Sequence, residues 1–221
     1  MSNVALKLPS DGATMRQVLF VQGAGEDVHD QWDNQLVDSL QGELGPTYEI
    51  RYPVMPNEAD PNYAVWKRAL QMEFAALEPG AVVIGHSVGG TILIHVLAES
   101  TPPAKLGAIC LIGAPFIGTG GWETDDIEAQ PDLADRLPRD VPIFIYHGRD
   151  DDTVPFAHVE LYAGLVPRAQ VRRLAGRDHQ LNNRLSEVAI DIRRLDQRSN
   201  ADATRGFADP TPPRDSNRRN V

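Results

Sequence analysis

Six short apolar runs, separated by stretches patterned for helix, constrain this chain more than any other feature. The runs are Val18 to Val21, Tyr48 to Val54, Ala81 to Ile84, Ala108 to Ile112, Ile143 to Tyr146, and Val171 to Leu174. Between them, apolar residues recur at helical spacing: Trp32, Leu36, Leu40 and Leu44; Trp66, Leu70, Phe74 and Leu77; Leu181, Leu185, Val188, Ile192 and Leu195. Strands that alternate with helices form βαβ units, and these build a mostly parallel sheet. Four runs are apolar throughout, as strands covered on both faces must be. The second run alternates, with Tyr48, Ile50, Tyr52 and Val54 on one side and Glu49 and Arg51 on the other, and the last carries Arg172 and Arg173. Those two belong at sheet edges. The expected fold is α/β: a doubly wound six-stranded sheet in the order 2-1-3-4-5-6, with helices on both faces.

At 221 residues the chain has room for one core and no second domain. Residues 1–16 read as a lead-in, 17–197 as the folded domain and 198–221 as a disordered tail, because Pro210, Pro212, Pro213 and their polar neighbours cannot offset their ordering entropy. The chain has 21 Lys plus Arg against 31 Asp plus Glu, a net charge of −10. That argues against nucleic acid or an anionic membrane as partner, since both require a basic face. The one cysteine, Cys110, sits mid-strand, excludes an intramolecular disulfide and reads as core. No apolar stretch is long enough to span a bilayer and no secretory leader is visible, so a cytoplasmic location is expected.

Chemistry enters at residues 85–89, Gly85-His86-Ser87-Val88-Gly89, a G-x-S-x-G pattern. Roughly 0.05 accidental matches are expected at this glycine and serine content, so context decides. The motif directly follows the run Ala81 to Ile84 and opens the helical stretch Val88 to Glu99. Strand, sharp turn, helix is the setting that exposes a serine hydroxyl at the carboxyl end of a sheet. Gly85 and Gly89 are needed there because neighbouring backbone passes close by.

A serine hydroxyl needs a base, and the base needs an orienting carboxylate. After the fifth run comes His147-Gly148-Arg149-Asp150-Asp151-Asp152-Thr153-Val154-Pro155, and after the sixth Gly176-Arg177-Asp178-His179-Gln180. His179 is the base by position. The other histidines read otherwise: His86 projecting away from the serine, His147 supporting the acid loop, His95 packed, His29 in a loop, and His158 on a surface helix. None pairs at helical zinc-ligand spacing, so no metal and no cofactor are expected.

Over residues 17–195 the chain resembles small α/β-hydrolase-fold serine hydrolases, through Gly85 to Gly89, the H-G-x-x-D-x-x-V-P pattern at 147–155, and the turn carrying His179. The resemblance implies a triad of Ser87, His179 and Asp151, with Asp150 and Asp152 leaving the register of the acid open. It also implies an oxyanion hole made by the backbone N–H groups of Val88 and of Ala24, in the loop Gln22-Gly23-Ala24-Gly25-Glu26. Gln22 stands where the family often has His. Between the fourth and fifth runs lies Gly113 to Asp140, enough for a loop and one short helix but not a cap domain. Phe116, Ile117 and Trp122 in it are candidate acyl-pocket residues.

The reading is therefore a serine hydrolase for small or medium carboxylic esters, acting through an acyl-enzyme. A thioesterase, amidase or acyltransferase would share the triad, and a non-catalytic hydrolase-fold binding protein is the alternative from another class. The expected partner is a small-molecule ester, and the sequence leaves the oligomeric state open.

Overall fold

The computed structural model describes residues 15–206, with side chains described as far as 197. Six strands, β1 (Arg16–Val21), β2 (Tyr48–Arg51), β3 (Val82–His86), β4 (Ala108–Ile112), β5 (Ile143–Gly148) and β6 (Gln170–Leu174), form one sheet in the order β2-β1-β3-β4-β5-β6. All five neighbouring pairs are parallel. The edge assignments from charge patterning hold. Arg172 and Arg173 on β6 reach outward to Asp191 and Glu160 at 2.9 and 2.6 Å.

Among the described residues, six α-helices cover the sheet: α1 (Asn34–Leu44), α2 (Tyr63–Ala75), α3 (Ser87–Glu99), α4 (Leu133–Arg136), α5 (Ala157–Leu165) and α6 (Ser186–Gly206). The two-residue period of each strand sends alternate side chains to opposite faces. Val18, Phe20, Val82, Ile84, Cys110, Ile112 and Tyr146 pack with Leu36 and Leu40 of α1 and Val188 and Ile192 of α6. Leu19, Val21, Val83, Ile109, Leu111 and Ile145 pack with residues of α2, α3 and α5 on the other side. Two cores thus share one sheet, and every central strand is buried on both faces, which is why those runs carry no polar alternation.

Three local expectations differ. Trp32 leaves the first helical stripe and is 56% exposed. It lies in a π-helical segment, Val28–Asp33, that precedes α1. The wider i→i+5 turn shifts the phase of the stripe, so Leu36, Leu40 and Leu44 face the core and Trp32 does not. The second strand ends at Arg51, and Val54, expected inward, is 65% exposed. Finally, α6 continues to Gly206, nine residues past the expected domain boundary at residue 197. Residues 1–14 of the expected lead-in and 207–221 of the expected tail lie outside the described residues.

The register places the site. Val21 lies opposite Gly85, His86 opposite Ile112, and Gly148 opposite Leu174. The segments after β1, β3, β4, β5 and β6 therefore emerge together at the carboxyl edge. Chain direction across the sheet reverses between β1 and β3, where α/β sheets open a crevice.

Candidate active site

β3 runs into α3 with no linking residue, and Ser87, the first residue of the helix, has φ 50°. A left-handed serine costs on the order of 1–3 kcal/mol and persists only where its surroundings enforce it. Here they do. A Cβ on Gly85 would sit 2.5 Å from Gly90 Cα, and one on Gly89 would sit 1.9 Å from the Gln22 carbonyl oxygen. Both glycines are thus sterically required, as the motif implied. Ser87 is 8% exposed, and a Cβ on Gly23 would lie 3.2 Å from Ser87 Cβ. As a first-turn residue of α3, Val88 has a backbone N–H that the helix cannot satisfy, and the helix dipole favours negative charge there.

Asp151 and His179, expected as acid and base, converge from the ends of β5 and β6. His179 Nδ1 lies 2.9 Å from Asp151 Oδ2. Asp151 Oδ1 accepts from the N–H groups of Val154 at 2.8 Å and Thr153 at 3.0 Å. His147 Nε2 donates to the Val154 carbonyl at 3.0 Å and lies 3.3 Å from Asp151 Oδ2. Burial opposes ionisation of Asp151, but the hydrogen bond and charge of His179 and the two N–H donors outweigh it, so its carboxyl is held below the usual range. Asp150 and Asp152 are exposed, so of the three aspartates it is Asp151 that faces the imidazole. Gly113, at the end of β4, has φ +54°, and a Cβ there would lie 3.2 Å from His179 Nδ1 and 3.4 Å from Asp151 Oδ2. Bare backbone therefore packs directly against the pair. With Nδ1 committed to Asp151, His179 Nε2 is the nitrogen left to take a proton; contacts between such a base and its nucleophile tighten when substrate binds.

The loop after β1 is held from both sides. Gly23 N–H donates to Asp33 Oδ2 at 2.7 Å, and Gly25 N–H donates to the Glu58 carbonyl at 2.8 Å. Among the described residues, the intervening Ala24 N–H has no acceptor. Gln22, in place of the family's usual His, does the tethering. Its Oε1 accepts from Met55 N–H at 3.0 Å and its Nε2 donates to the Glu58 carboxylate. Sequence reasoning had no signal for these partners, since Met55 and Glu58 lie in the irregular segment after β2.

A second histidine–aspartate pair lies beside the first. His86 Nδ1 is 2.9 Å from Asp33 Oδ2, and both side chains are buried. Gln180 Nε2 donates to Asp33 Oδ1 at 3.2 Å, and His86 Nε2 lies 3.2 Å from the His179 carbonyl oxygen. His86 thus faces Asp33 and the His179 carbonyl; Asp33 and Gln180 were not singled out. Gln180 is the neighbour of His179; Asp33 carries no pattern at all. His158 corrects another expectation. It sits on α5 but is only 3% exposed, and its Nδ1 accepts the Phe116 N–H at 2.8 Å.

A cavity of about 190 Å³ opens beside Val88, lined by Ile92, Ile117, Trp122 and Ile127, with Glu123 and Asp126 at its edge. Ile117 and Trp122 are among its lining residues. Phe116 is not among the lining residues: its ring packs edge-on against Tyr162, 5.1 Å away in the core. A larger groove of about 650 Å³, lined by Met15, Arg16 and Lys105, lies at the opposite, amino end of the strands and includes none of the residues above.

The family model for serine hydrolases matches residues 18–179. Among solved structures, the ydeN gene product of B. subtilis superposes with a TM-score of 0.65 at 18% identity, covering 82% of this chain and 99% of that one. A serine hydrolase without lid from Xanthomonas campestris gives 0.57 at 13% identity, covering 88% and 86%. A meta-cleavage product hydrolase from Pseudomonas fluorescens gives 0.64 at 14%, covering 83% and 91%. No curated protein sequence matches this chain. Among the described residues, no helix is long and apolar enough to cross a membrane.

Proposed function

The chain belongs to the serine hydrolase family, and from that premise we propose that it hydrolyses small or medium carboxylic esters through Ser87, His179 and Asp151. The observation that carries the reading is the strained Ser87, φ 50°, beside a His179 whose Nδ1 meets a buried carboxylate at 2.9 Å. His179 Nε2 takes the hydroxyl proton as Ser87 Oγ bonds to the ester carbonyl carbon. The N–H groups of Ala24 and Val88 receive the developing oxyanion. Collapse of the tetrahedral species breaks the bond to the alkoxy oxygen, which leaves with the proton from His179. A water, deprotonated by His179, then cleaves the acyl-enzyme and regenerates Ser87. Asp151 holds the Nδ1–H tautomer throughout.

The pocket supports a limit on the acyl group. At about 190 Å³ it is small, which favours a short acyl chain over a long one. Glu123 and Asp126 at its edge disfavour an anionic acyl group. The same triad serves thioester and amide cleavage, so a panel of p-nitrophenyl esters from acetate to decanoate, with matched thioesters and anilides, tests the reading. Turnover is expected to peak on short-chain oxygen esters. Faster cleavage of thioesters or anilides would move the assignment to those classes.

A further inference from the structure

His86 has a different problem from His179, and its two nitrogens state it. Nδ1 faces Asp33 Oδ2 at 2.9 Å and Nε2 faces the His179 carbonyl oxygen at 3.2 Å. A carbonyl oxygen has no proton to give, so Nε2 must donate. Asp33 in turn receives Gly23 N–H at 2.7 Å and Gln180 Nε2 at 3.2 Å. These two donors, one on each carboxylate oxygen, favour the ionised form of Asp33, which has no proton to give, so Nδ1 donates as well. Both ring nitrogens carrying protons make an imidazolium, with side-chain exposures of 2% for His86 and 0% for Asp33.

We infer that His86 and Asp33 form a buried imidazolium–carboxylate pair that acts as the positioning element of the site, fixing the oxyanion loop and the base loop against the nucleophile turn. Three catalytic segments meet in it. His86 directly precedes Ser87. Gly23, bonded to Asp33, directly precedes Ala24. The His179 carbonyl and the Gln180 side chain anchor the loop that carries the base. The pair touches no reacting atom. An ion pair in such a place gains little net stability, because desolvation offsets attraction; what it supplies is a fixed geometry. Its consequence for rate rests on the triad proposed above, whereas its charge state does not.

The groups facing His86 are Asp33, the His179 carbonyl, the His179 ring with its centroid 4.8 Å away, and, at longer range, Asp151. Burial alone would lower the basicity of His86, but the charge and hydrogen bond of Asp33 outweigh it and raise the pKa above its ordinary value. The contribution is therefore complete below the unfolded pKa, about 6.5, and is lost as pH rises through the raised folded value. Without Asp33, burial dominates and His86 is neutral at pH 7. A neutral ring has one N–H for two partners: if Nε2–H stays on the His179 carbonyl oxygen, Nδ1 can only accept, and the ionic attraction to position 33 is gone.

The test is side-chain ¹⁵N NMR of the histidines in the full chain, with steady-state kinetics of Asp33→Asn. Both His86 nitrogens are expected to be protonated at pH 7 in the wild type. Asp33→Asn is expected to turn His86 neutral, to shift the His179 ring signals, and to lower kcat about 10–100-fold with KM changed less than about threefold, since small misplacements of catalytic groups cost this much. The wild type should show an alkaline fall in kcat that follows the His86 signals and is missing in the variant. A neutral His86 in the wild type at pH 7, or a folded Asp33→Asn with wild-type kcat and unmoved His179 signals, overturns the inference. If Asp33→Asn does not fold, the wild-type spectrum and the alkaline limb decide. If the wild type turns over no ester and takes no fluorophosphonate label, the triad reading fails, while the His86 and His179 signals still decide this one.

Discussion

Two histidine–aspartate pairs lie side by side in this molecule, each with a 2.9 Å contact between Nδ1 and a carboxylate. They differ in what the second nitrogen meets. His86 Nε2 is spent on a carbonyl oxygen, while in the proposed mechanism His179 Nε2 serves the nucleophile. They differ also in exposure, at 2% for the His86 side chain and 13% for His179. Identical residue types with nearly identical first contacts are thus sorted into positioning and chemistry by one acceptor and a little solvent access. The lesson is that a carboxylate-bound histidine does not make a catalytic base until its far nitrogen is accounted for.

The comparison is broken most sharply at the reacting side. Ser87→Ala should lower ester turnover by about 10⁶-fold, leaving only what the oxyanion donors and binding supply, and steady-state hydrolysis checks it. Asp151→Asn keeps the shape but releases the tautomer, for an expected loss of about 10⁴-fold in kcat. Its contrast with the much milder Asp33→Asn is the quantitative form of the difference between the pairs. If the two losses were equal, the assignment of roles would be wrong. Gly113→Ala adds a Cβ at φ +54° within 3.4 Å of both His179 and Asp151. A loss of about 10–100-fold in kcat is expected, without loss of fold by circular dichroism.

Smaller effects sharpen the picture. Trp122→Ala opens the 190 Å³ pocket and should move the best p-nitrophenyl ester to longer chains, changing kcat/KM by about 10-fold between short and long acyl groups. Acid unfolding is the smallest. The pKa values of Asp33 and Asp151 are both held below the usual carboxylate range, so their contribution is present above the unfolded pKa, about 3.9, and is lost as pH falls through the lower folded values. The urea-unfolding stabilities of wild type and Asp33→Asn should therefore converge as pH falls below about 3.9. Parallel curves would contradict this.

The fold was legible because period carries it. Apolar runs such as Ala108 to Ile112 need two covered faces, and Arg172 and Arg173 can lie only at an edge. The placement of Ser87, Asp151 and His179 after β3, β5 and β6 was legible because each lies in a pattern that its backbone demands. Trp32 misled because a helical stripe assumes one kind of helix, and a π-helical turn rotates the phase. Asp33 was invisible for a different reason. It lies 53 positions from His86, at the junction of two helical segments where an aspartate is ordinary, and only the tertiary fold brings the two together. Gln22 was noticed as a departure from the family's His, yet its partners Met55 and Glu58 come from a segment with no periodic signal. Sequence pattern finds groups that local backbone geometry positions; it misses groups that act through contacts distant in the chain.

The most direct test of the central claim is where an activated-serine probe reacts. A fluorophosphonate should form one phosphonyl adduct on the folded protein, which peptide mapping places on Ser87. The adduct should disappear in Ser87→Ala and form far more slowly in His179→Ala. A folded wild type that takes no label, or a label that survives Ser87→Ala, would contradict the account.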